Sequence, residues 1–391
     1  MGSAPTYTVF YGTFIDLPKT PSDDKHVLSI RHGALWVSTT DGRIQGADWT
    51  ISSDAALTAF LRKKGWISHS DSKSGATAAT TVKIIHAKED KSEFFFPGFI
   101  DTHIHAPQHP NTGLFGSTTL LSWLEKYTFP MESSFGSTKL PSLPPPHAYH
   151  VYNQTIQRTL SNGTTFASYF ATIHVPATQL LASLCHKRGQ KALIGRVCMD
   201  NPSFCPEFYR DESAADSVAQ NTEVISHIHA IDPTGALVAP ILTPRFAPTC
   251  SEEAMRGVAE QARAFDPPLH IQTHISENKD EIATCEFVGG GAAGVFGVEA
   301  VKAYGRLVAL GSKDSAVDVF GWESWEEKVH KWVWTGDDRN VRRVWVNGRL
   351  VHVREAEDDD GEKQSARVLR WVVAAGLVAV GVFGAVRRLK R

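Results

Sequence analysis

The stretch "FPGFIDTHIHAPQHPNTG", residues 96–113, reads as the start of a metal site. Its apolar run stops at Asp101, and His103 and His105 follow with one residue between them. Residues two apart on an extended strand point to the same face, so the two imidazoles are placed to share one metal ion. Catalytic metal sites normally use three or more protein ligands. We therefore expect further ligands elsewhere in the chain.

Alternating strand and helix patterns fill the middle of the chain. Helical spacing marks "LLSWLEKYTF" (120–129), "HAYHVYNQTIQRTLSNG" (147–163), "QLLASLCHKRG" (179–189), "SVAQNTEVISHIHAI" and "EEAMRGVAEQARAF" (252–265). Strand composition marks "TTFASYFATI", "KALIGRVCM", "ALVAPILTPRF" and "PLHIQTHISE". Repeated strand-then-helix units predict an α/β fold with a parallel sheet, either open or closed into a barrel.

Both ends of the chain have strand patterns with hairpin signals. Asp41-Gly42 interrupts "LWVSTTDGRIQG" (35–46), and Asn347-Gly348 interrupts "VRRVWVNGRLVHV" (341–353). These dipeptides favour the tight turns of β-hairpins. The two ends are therefore predicted to be β-rich.

Three further polar residues fall where predicted strands end. His274 follows an apolar strand, Glu277 comes three residues later, and Arg245 follows the strand before. The carboxyl ends of barrel strands form the face on which α/β barrels carry their active sites. Each residue also has an ordinary structural interpretation: His274 as a core histidine, Arg245 as a solvated charge and Glu277 as a helix-start carboxylate. An isolated H-x-H pair is likewise more often structural than metal-binding.

Composition limits the class of protein. The chain has 391 residues, a net charge of −2, and 42% apolar and 21% charged residues. This balance is typical of a globular protein and gives no basis for a nucleic-acid partner. Five cysteines without a C-x-x-C pair favour a reducing compartment, and the first residues lack the pattern of a secretory signal, so we expect none. A cytoplasmic location is therefore expected.

Several longer stretches carry a family resemblance. They are "PGFIDTHIHAPQ", "WLEKYTFP", "NGTTFASYFATIH", "LTPRFAPTCSE", "HIQTHISENKDE" and "GDDRNVRRVWVNGRLV". Together they resemble the guanine deaminases of the metal-dependent amidohydrolase family. The resemblance implies a TIM-barrel-like fold with a small β domain formed by both chain ends. It also implies zinc-dependent hydrolysis of guanine at C2 to xanthine and ammonia, a step of purine catabolism.

The resemblance also implies roles for single residues. His103, His105 and His274 match zinc ligands, and Glu277 matches the catalytic proton shuttle. Gln108 and Arg245 match the residues that hold the purine edge. A guanidinium suits this role because its planar fork of donors complements acceptors such as O6 and N7 of guanine. Family members also lead us to expect a homodimer.

Two residues that the resemblance requires have no counterpart here. The family has a histidine in an "AHG"-like motif after the sixth strand and an aspartate in a "GTD"-like motif after the eighth. The recognisable barrel stops just past Ile282, and "LGSKDS" (310–315) lacks the aspartate pattern. We therefore expect an incomplete barrel. The alternative function is a catalytically inert relative or truncated gene product, in one version tethered to a membrane.

The expected organisation has five parts. The small β domain takes residues 1–96 and 301–353, and the partial barrel takes 97–300. A charged linker at 354–367 leads to a candidate transmembrane tail at 368–391. The tail contains sixteen uncharged residues, "WVVAAGLVAVGVFGAV" (371–386), flanked by arginines. A membrane anchor and a buried helix are the two interpretations of this segment.

Overall fold

The computed structural model describes residues 6–18, 27–67, 82–114, 118–136, 143–275, 277, 307–310 and 317–354. The predicted membrane tail (368–391) lies outside the described residues. Within the described residues, no helix is long and apolar enough to cross a membrane.

A parallel sheet forms the centre of the α/β region. Its strands are β6 (Phe99–His105), β7 (Thr164–Phe170), β8 (Lys191–Gly195), β9 (Val197–Cys198), β10 (Val238–Pro244) and β11 (His270–Ile271). The order across the sheet is β11-β10-β8-β7-β6, with β9 paired to β10, and every pairing is parallel. Within the described residues, this curled parallel sheet confirms the predicted α/β fold with a partial, TIM-barrel-like sheet.

The helices between these strands cover the outer face of the sheet. They are α4 (Pro146–Ser161), α5 (Val175–Arg188), α6 (Ala214–Ile231) and α7 (Glu252–Arg263). Their apolar faces pack on the sheet through fully buried side chains such as Tyr152, Ile156, Leu181 and Ile228. The helix predicted at 120–129 lies before α4 and consists of three helical segments. They are α2 (Leu120–Trp123), a π-helical turn (Leu124–Thr128) and α3 (Phe129–Ser133).

A second, mixed sheet joins the two ends of the chain. Its strands are β1 (Tyr7–Asp16), β2 (Ser29–Ser38), β3 (Ile44–Asp48), β4 (Val82–His86), β5 (Phe94–Pro97), β12 (Leu307–Leu310), β13 (Val341–Val346) and β14 (Arg349–Val353). The order is β14-β13-β12-β5-β1-β2-β3, with β4 on β1. The predicted β region from both ends is therefore confirmed, whereas its exact boundaries stay predictions.

Aromatic side chains hold this second sheet together. The Phe10 ring from β1 meets Phe95 of β5 and Trp345 of β13 edge-on, at centroid distances of 5.5 and 5.1 Å. The core therefore joins residues that lie more than 300 positions apart in the chain. Helices α1 (Asp54–Lys63) and α8 (Trp325–Thr335), which the sequence patterns did not predict, flank the sheet.

The predicted turn at Asn347-Gly348 is confirmed. It links β13 and β14, and both residues have positive φ, +48° and +70°. This conformation matches the right-handed twist of a hairpin, and it explains why Asn and Gly occupy these positions.

The last predicted strand is much shorter than expected. β11 contains only His270 and Ile271, although the pattern extended through "PLHIQTHISE". Beyond it, His274 forms an isolated parallel bridge with Phe246 and no continuous ladder. The length of a strand depends on backbone hydrogen bonding to its neighbour. The alternation of apolar residues does not predict where that hydrogen bonding ends.

Candidate metal centre

Three histidines meet at the C-terminal edge of the parallel sheet. His103 and His105 lie at the end of β6, and His274 follows β11. One ring nitrogen of each lies within 4.8 Å of the others, which makes a group able to hold a metal ion. The Nε2 atoms of His105 and His274 face one another at 2.9 Å. The fold thus brings together residues 169 positions apart.

Phe170, at the end of β7, forms the floor of this group. Its fully buried ring lies 4.7 Å, centroid to centroid, from the rings of all three histidines. Because the ring is rigid and apolar, it limits imidazole movement and keeps water from one side of the cluster. Phe170 was not singled out from the sequence, where it is one apolar residue of a buried strand.

Hydrogen bonding selects the His274 tautomer. The Nδ1 atom lies 2.7 Å from the backbone oxygen of Arg245, to which it donates its proton. The backbone N–H of His274 donates to the same oxygen at 3.0 Å. With Nδ1 protonated, Nε2 carries the lone pair that a metal ligand needs. Such a bond to a carbonyl is the usual outer contact of a metal-binding histidine.

Burial keeps the three imidazoles neutral. Desolvation lowers the pKa of His274 to about 4, and the nearby Arg245 guanidinium adds to the effect. Desolvation also lowers the pKa of His105 well below its ordinary value, again with help from Arg245. The pKa of His103 is lowered for the same main reason. Neutral imidazoles are the metal-binding form, so these residues fit a metal ion without first losing a proton.

A buried polar network lies beside the histidines. Glu132, in α3, is fully buried and receives a bidentate ion pair from Arg245, with Nη1–Oε2 at 2.6 Å and Nη2–Oε1 at 3.3 Å. Gln108 Nε2 donates to Oε1 at 2.7 Å, and the Tyr209 hydroxyl donates to Oε2 at 2.8 Å. Gln108 and Arg245, which the resemblance matches to the residues that hold the purine edge, therefore share one carboxylate.

The charges in this network stabilise each other. Burial opposes the charge on Arg245, but the Glu132 carboxylate outweighs it and raises the Arg245 pKa. The guanidinium also lies 5.3 Å from the centroid of the Phe129 ring, a distance that suits a cation–π contact. Glu132 Oε1 lies 3.9 Å from the buried Nδ1 of His105, so the carboxylate also faces the histidine cluster.

Glu132 and Tyr209 were missed by the sequence analysis. Glu132 follows the recognised "WLEKYTFP" stretch by two positions, within an otherwise apolar helical turn. An acidic residue in such a setting is a signal, because carboxylates are almost never fully buried without partners. Glu277 is exposed and lies three residues beyond His274. Its predicted role as proton shuttle stays a prediction.

The amidohydrolase family model matches residues 94–308, more than half of the chain. This chain belongs to the amidohydrolase family. That family is metal-dependent, in agreement with the histidine cluster.

The relatives of this amidohydrolase include guanine deaminases. A protein of Schizosaccharomyces pombe named "probable guanine deaminase" is 50% identical over 190 residues, which are 49% of this chain and 34% of the relative. The chain thus spans about a third of that relative's length. The solved guanine deaminase from C. acetobutylicum, with guanine bound, is 27% identical to this chain with a TM-score of 0.56. The alignment covers 72% of this chain and 56% of that one.

A second solved structure supports the fold. The Escherichia coli (E. coli) guanine deaminase aligns with a TM-score of 0.65 at 19% identity, over 89% of this amidohydrolase and 100% of that chain. At this identity the alignment shows a shared fold, and the family match together with the Schizosaccharomyces pombe relative confirms the predicted resemblance to guanine deaminases.

Proposed function

We propose that this site binds zinc and guanine and supports the hydrolysis of guanine to xanthine and ammonia. One observation carries the proposal: three neutral histidines converge at the C-terminal edge of the sheet, beside the buried Arg245 and the half-buried Gln108. The named relatives are guanine deaminases, and one of them was solved with guanine bound. These relatives support both the substrate and the reaction.

The histidine cluster fits a zinc ion. His103, His105 and His274 would hold it through ring nitrogens, the donors that zinc commonly takes in catalytic sites. Bound zinc supplies Lewis acidity and lowers the pKa of a water from 15.7 to about 7. The chain's own contribution is to hold three neutral imidazoles against Phe170 and to fix the His274 tautomer through the Arg245 carbonyl.

The remaining residues act on the purine. Arg245 presents donors to the acceptors O6 and N7, and Gln108 holds the neighbouring edge. Glu277 delivers a proton to the ring, a role that suits a carboxyl group within reach of the substrate. Burial of Arg245 strengthens its contacts, because water does not compete for the guanidinium.

A second candidate function has its own supporting observation. The "AHG"-like histidine and the "GTD"-like aspartate of the family have no counterpart in this sequence. A chain without them retains the purine-binding residues but lacks groups that handle the attacking water. The second candidate is therefore a relative that binds a purine without turnover.

Metal and substrate measurements separate these functions. The purified chain is loaded with zinc, and bound zinc is counted per chain for wild type, His274→Ala and the matched control His270→Ala. His270 is an exposed histidine of β11 outside the cluster. We expect zinc loss in His274→Ala alone. Guanine binding is then measured by calorimetry, and ammonia release is measured with Glu277→Gln as the blank.

Each result has a defined meaning. Guanine binding with ammonia release supports the deaminase. Guanine binding without release supports the inert relative. Failure to bind zinc and guanine would contradict the proposal. A homodimer, a cytoplasmic location and a membrane-anchored tail are further proposals, which size measurement and cell fractionation test.

A further inference from the structure

The two carboxylate oxygens of Glu132 are fully engaged. Oε1 accepts from Gln108 Nε2 and Arg245 Nη2, and Oε2 accepts from Arg245 Nη1 and the Tyr209 hydroxyl. A carboxylate has about four acceptor positions, and these four donors use them. Glu132 therefore has no acceptor position left for a ligand. Its effect on a ligand has to pass through the residues that it holds.

The contacts of Glu132 determine what its neighbours present. Gln108 points Nε2 at the carboxylate, so its Oε1 becomes the amide atom oriented to accept from a ligand N–H. Arg245 commits two N–H groups of its five to Glu132, and the other three remain donors. One side of the network therefore offers an acceptor and the other side offers donors.

This pattern distinguishes purines by their substituent at C6. A 6-oxopurine places the acceptor O6 beside the donor N1–H, and a 6-aminopurine reverses both positions. We propose that Glu132 is a positioning residue that fixes Gln108 as acceptor and Arg245 as donor, and so selects 6-oxopurines over 6-aminopurines. The inference rests on the proposed function, because it concerns the same purine site.

A loss of the charge at Glu132 should remove the selection. In Glu132→Gln the new amide can accept through one end only, so Gln108 is free to turn its amide and Arg245 loses its bidentate partner. Because a bidentate contact accounts for roughly tenfold or more in discrimination, the preference should fall by about that factor.

The probes are hypoxanthine and adenine, which differ at C6 and carry no amino group at C2. Their binding is therefore measured without turnover at that carbon. We expect zinc-loaded wild type to bind hypoxanthine about tenfold or more tightly than adenine, and Glu132→Gln to bind the two about equally. Bound zinc should stay unchanged in the variant, because all three histidines remain.

Asp211→Asn is the matched control. Asp211 forms the other buried ion pair of this region, with Arg196, and both residues are nearly inaccessible to solvent. Loss of this ion pair in Asp211→Asn should lower the midpoint of thermal unfolding, as Glu132→Gln does. The preference for hypoxanthine over adenine should stay unchanged. A general loss of stability would affect both variants alike, so the control separates positioning from structural support.

Tyr209→Phe is a milder variant that removes one of the four donors to Glu132. It should lower the preference about two- to fivefold while the chain stays folded. If Glu132→Gln does not fold, an unchanged preference in Tyr209→Phe overturns the inference. An unchanged preference in folded Glu132→Gln, or equal binding of both purines by wild type, does the same. Wild type that binds neither these purines nor guanine contradicts the proposed function itself.

Discussion

His174 shows how one residue makes stability depend on pH. It occupies the N-cap position of α5, and its Nε2 lies 3.2 Å from the backbone oxygen of Ser133. Burial lowers its pKa below the ordinary 6.5, with a further contribution from Arg196, although the Ser133 contact and the carboxylates of Asp211 and Glu132 oppose the shift. The folded state therefore favours the neutral ring.

The sign of the pH effect follows from linkage. Between pH 6.5 and the lower folded pKa, the unfolded chain binds the His174 proton and the folded chain does not. The stabilising effect of the neutral ring is thus present above pH 6.5 and is lost as pH falls below it, by at most about 1.4 kcal/mol per pH unit. We expect His174→Gln to show a shallower loss of unfolding free energy between pH 7 and 5.

Denaturant melts of both proteins at each pH test this prediction. His270→Ala, which changes an exposed histidine, is the control and should keep the wild-type slope. Identical pH slopes in wild type and His174→Gln would show that the ring is not held neutral by the fold.

At the scale of elements, close approach of strands constrains the barrel interior. A Cβ atom added at Gly195, the last residue of β8, would lie 1.8 Å from Thr243 Oγ1 and 2.9 Å from Gln272 Nε2. Gln272 also donates to Thr243 and to the backbone of Tyr169, and it accepts from Ser168. One amide therefore joins the strands around Gly195.

We predict that Gly195→Ala destabilises the protein by about 1–3 kcal/mol, because the new methyl overpacks this junction. The measurement is the free energy of unfolding in urea. A second substitution, Thr243→Ala, removes the atom in the closest contact and should recover part of the loss. Additive effects of the two substitutions would contradict the steric explanation.

At the scale of the whole molecule, the described part of the parallel sheet has fewer strands than a closed eight-stranded barrel. In the described part of the parallel sheet, β6 and β11 are the end strands, and Phe99 and Ile100 of β6 are exposed. An eight-stranded barrel would cover such edges, and natural proteins usually protect them. The exposed end of β6 is consistent with the missing family motifs.

We predict that the chain as written binds guanine at the proposed site but deaminates it slowly, far below the rate of a complete relative. General acid–base help is typically worth 10²–10⁴-fold, and the missing histidine and aspartate would supply it in the family. Insertion of the absent segment from a complete relative should raise ammonia release by several orders of magnitude. Turnover by the unmodified chain on the order of 1–10³ per second, absent in Glu277→Gln, would contradict this prediction.

The C-terminal segment permits a separate prediction about the whole chain. A fusion of residues 365–391 to a soluble reporter should sediment with membranes and resist carbonate extraction, because its apolar stretch approaches the length of a bilayer span. A fusion of the same length with two aspartates inside the stretch is the control. Recovery of the first fusion entirely in the soluble fraction would remove the membrane anchor.

Most of the fold class and the positions of the candidate metal ligands were predictable from the sequence. Period and turn residues are local properties, so the strand–helix alternation and the turn at Asn347-Gly348 were predictable. His103 and His105 stand out because a strand places alternate residues on one face. His274, Gln108 and Arg245 came from strand ends and family resemblance.

Tertiary structure alone decided which of these residues share partners. Glu132 joins Gln108 to Arg245 across 24 and 113 positions of the chain, and no local pattern encodes that meeting. Packing likewise places Phe170 against the three histidines and the Tyr209 hydroxyl against Glu132. Burial also set the protonation of the histidines, because desolvation depends on neighbours brought together by folding. Local periodicity predicts single helices and strands. The contact of Gln108 and Arg245 with one carboxylate forms only when folding brings distant segments together.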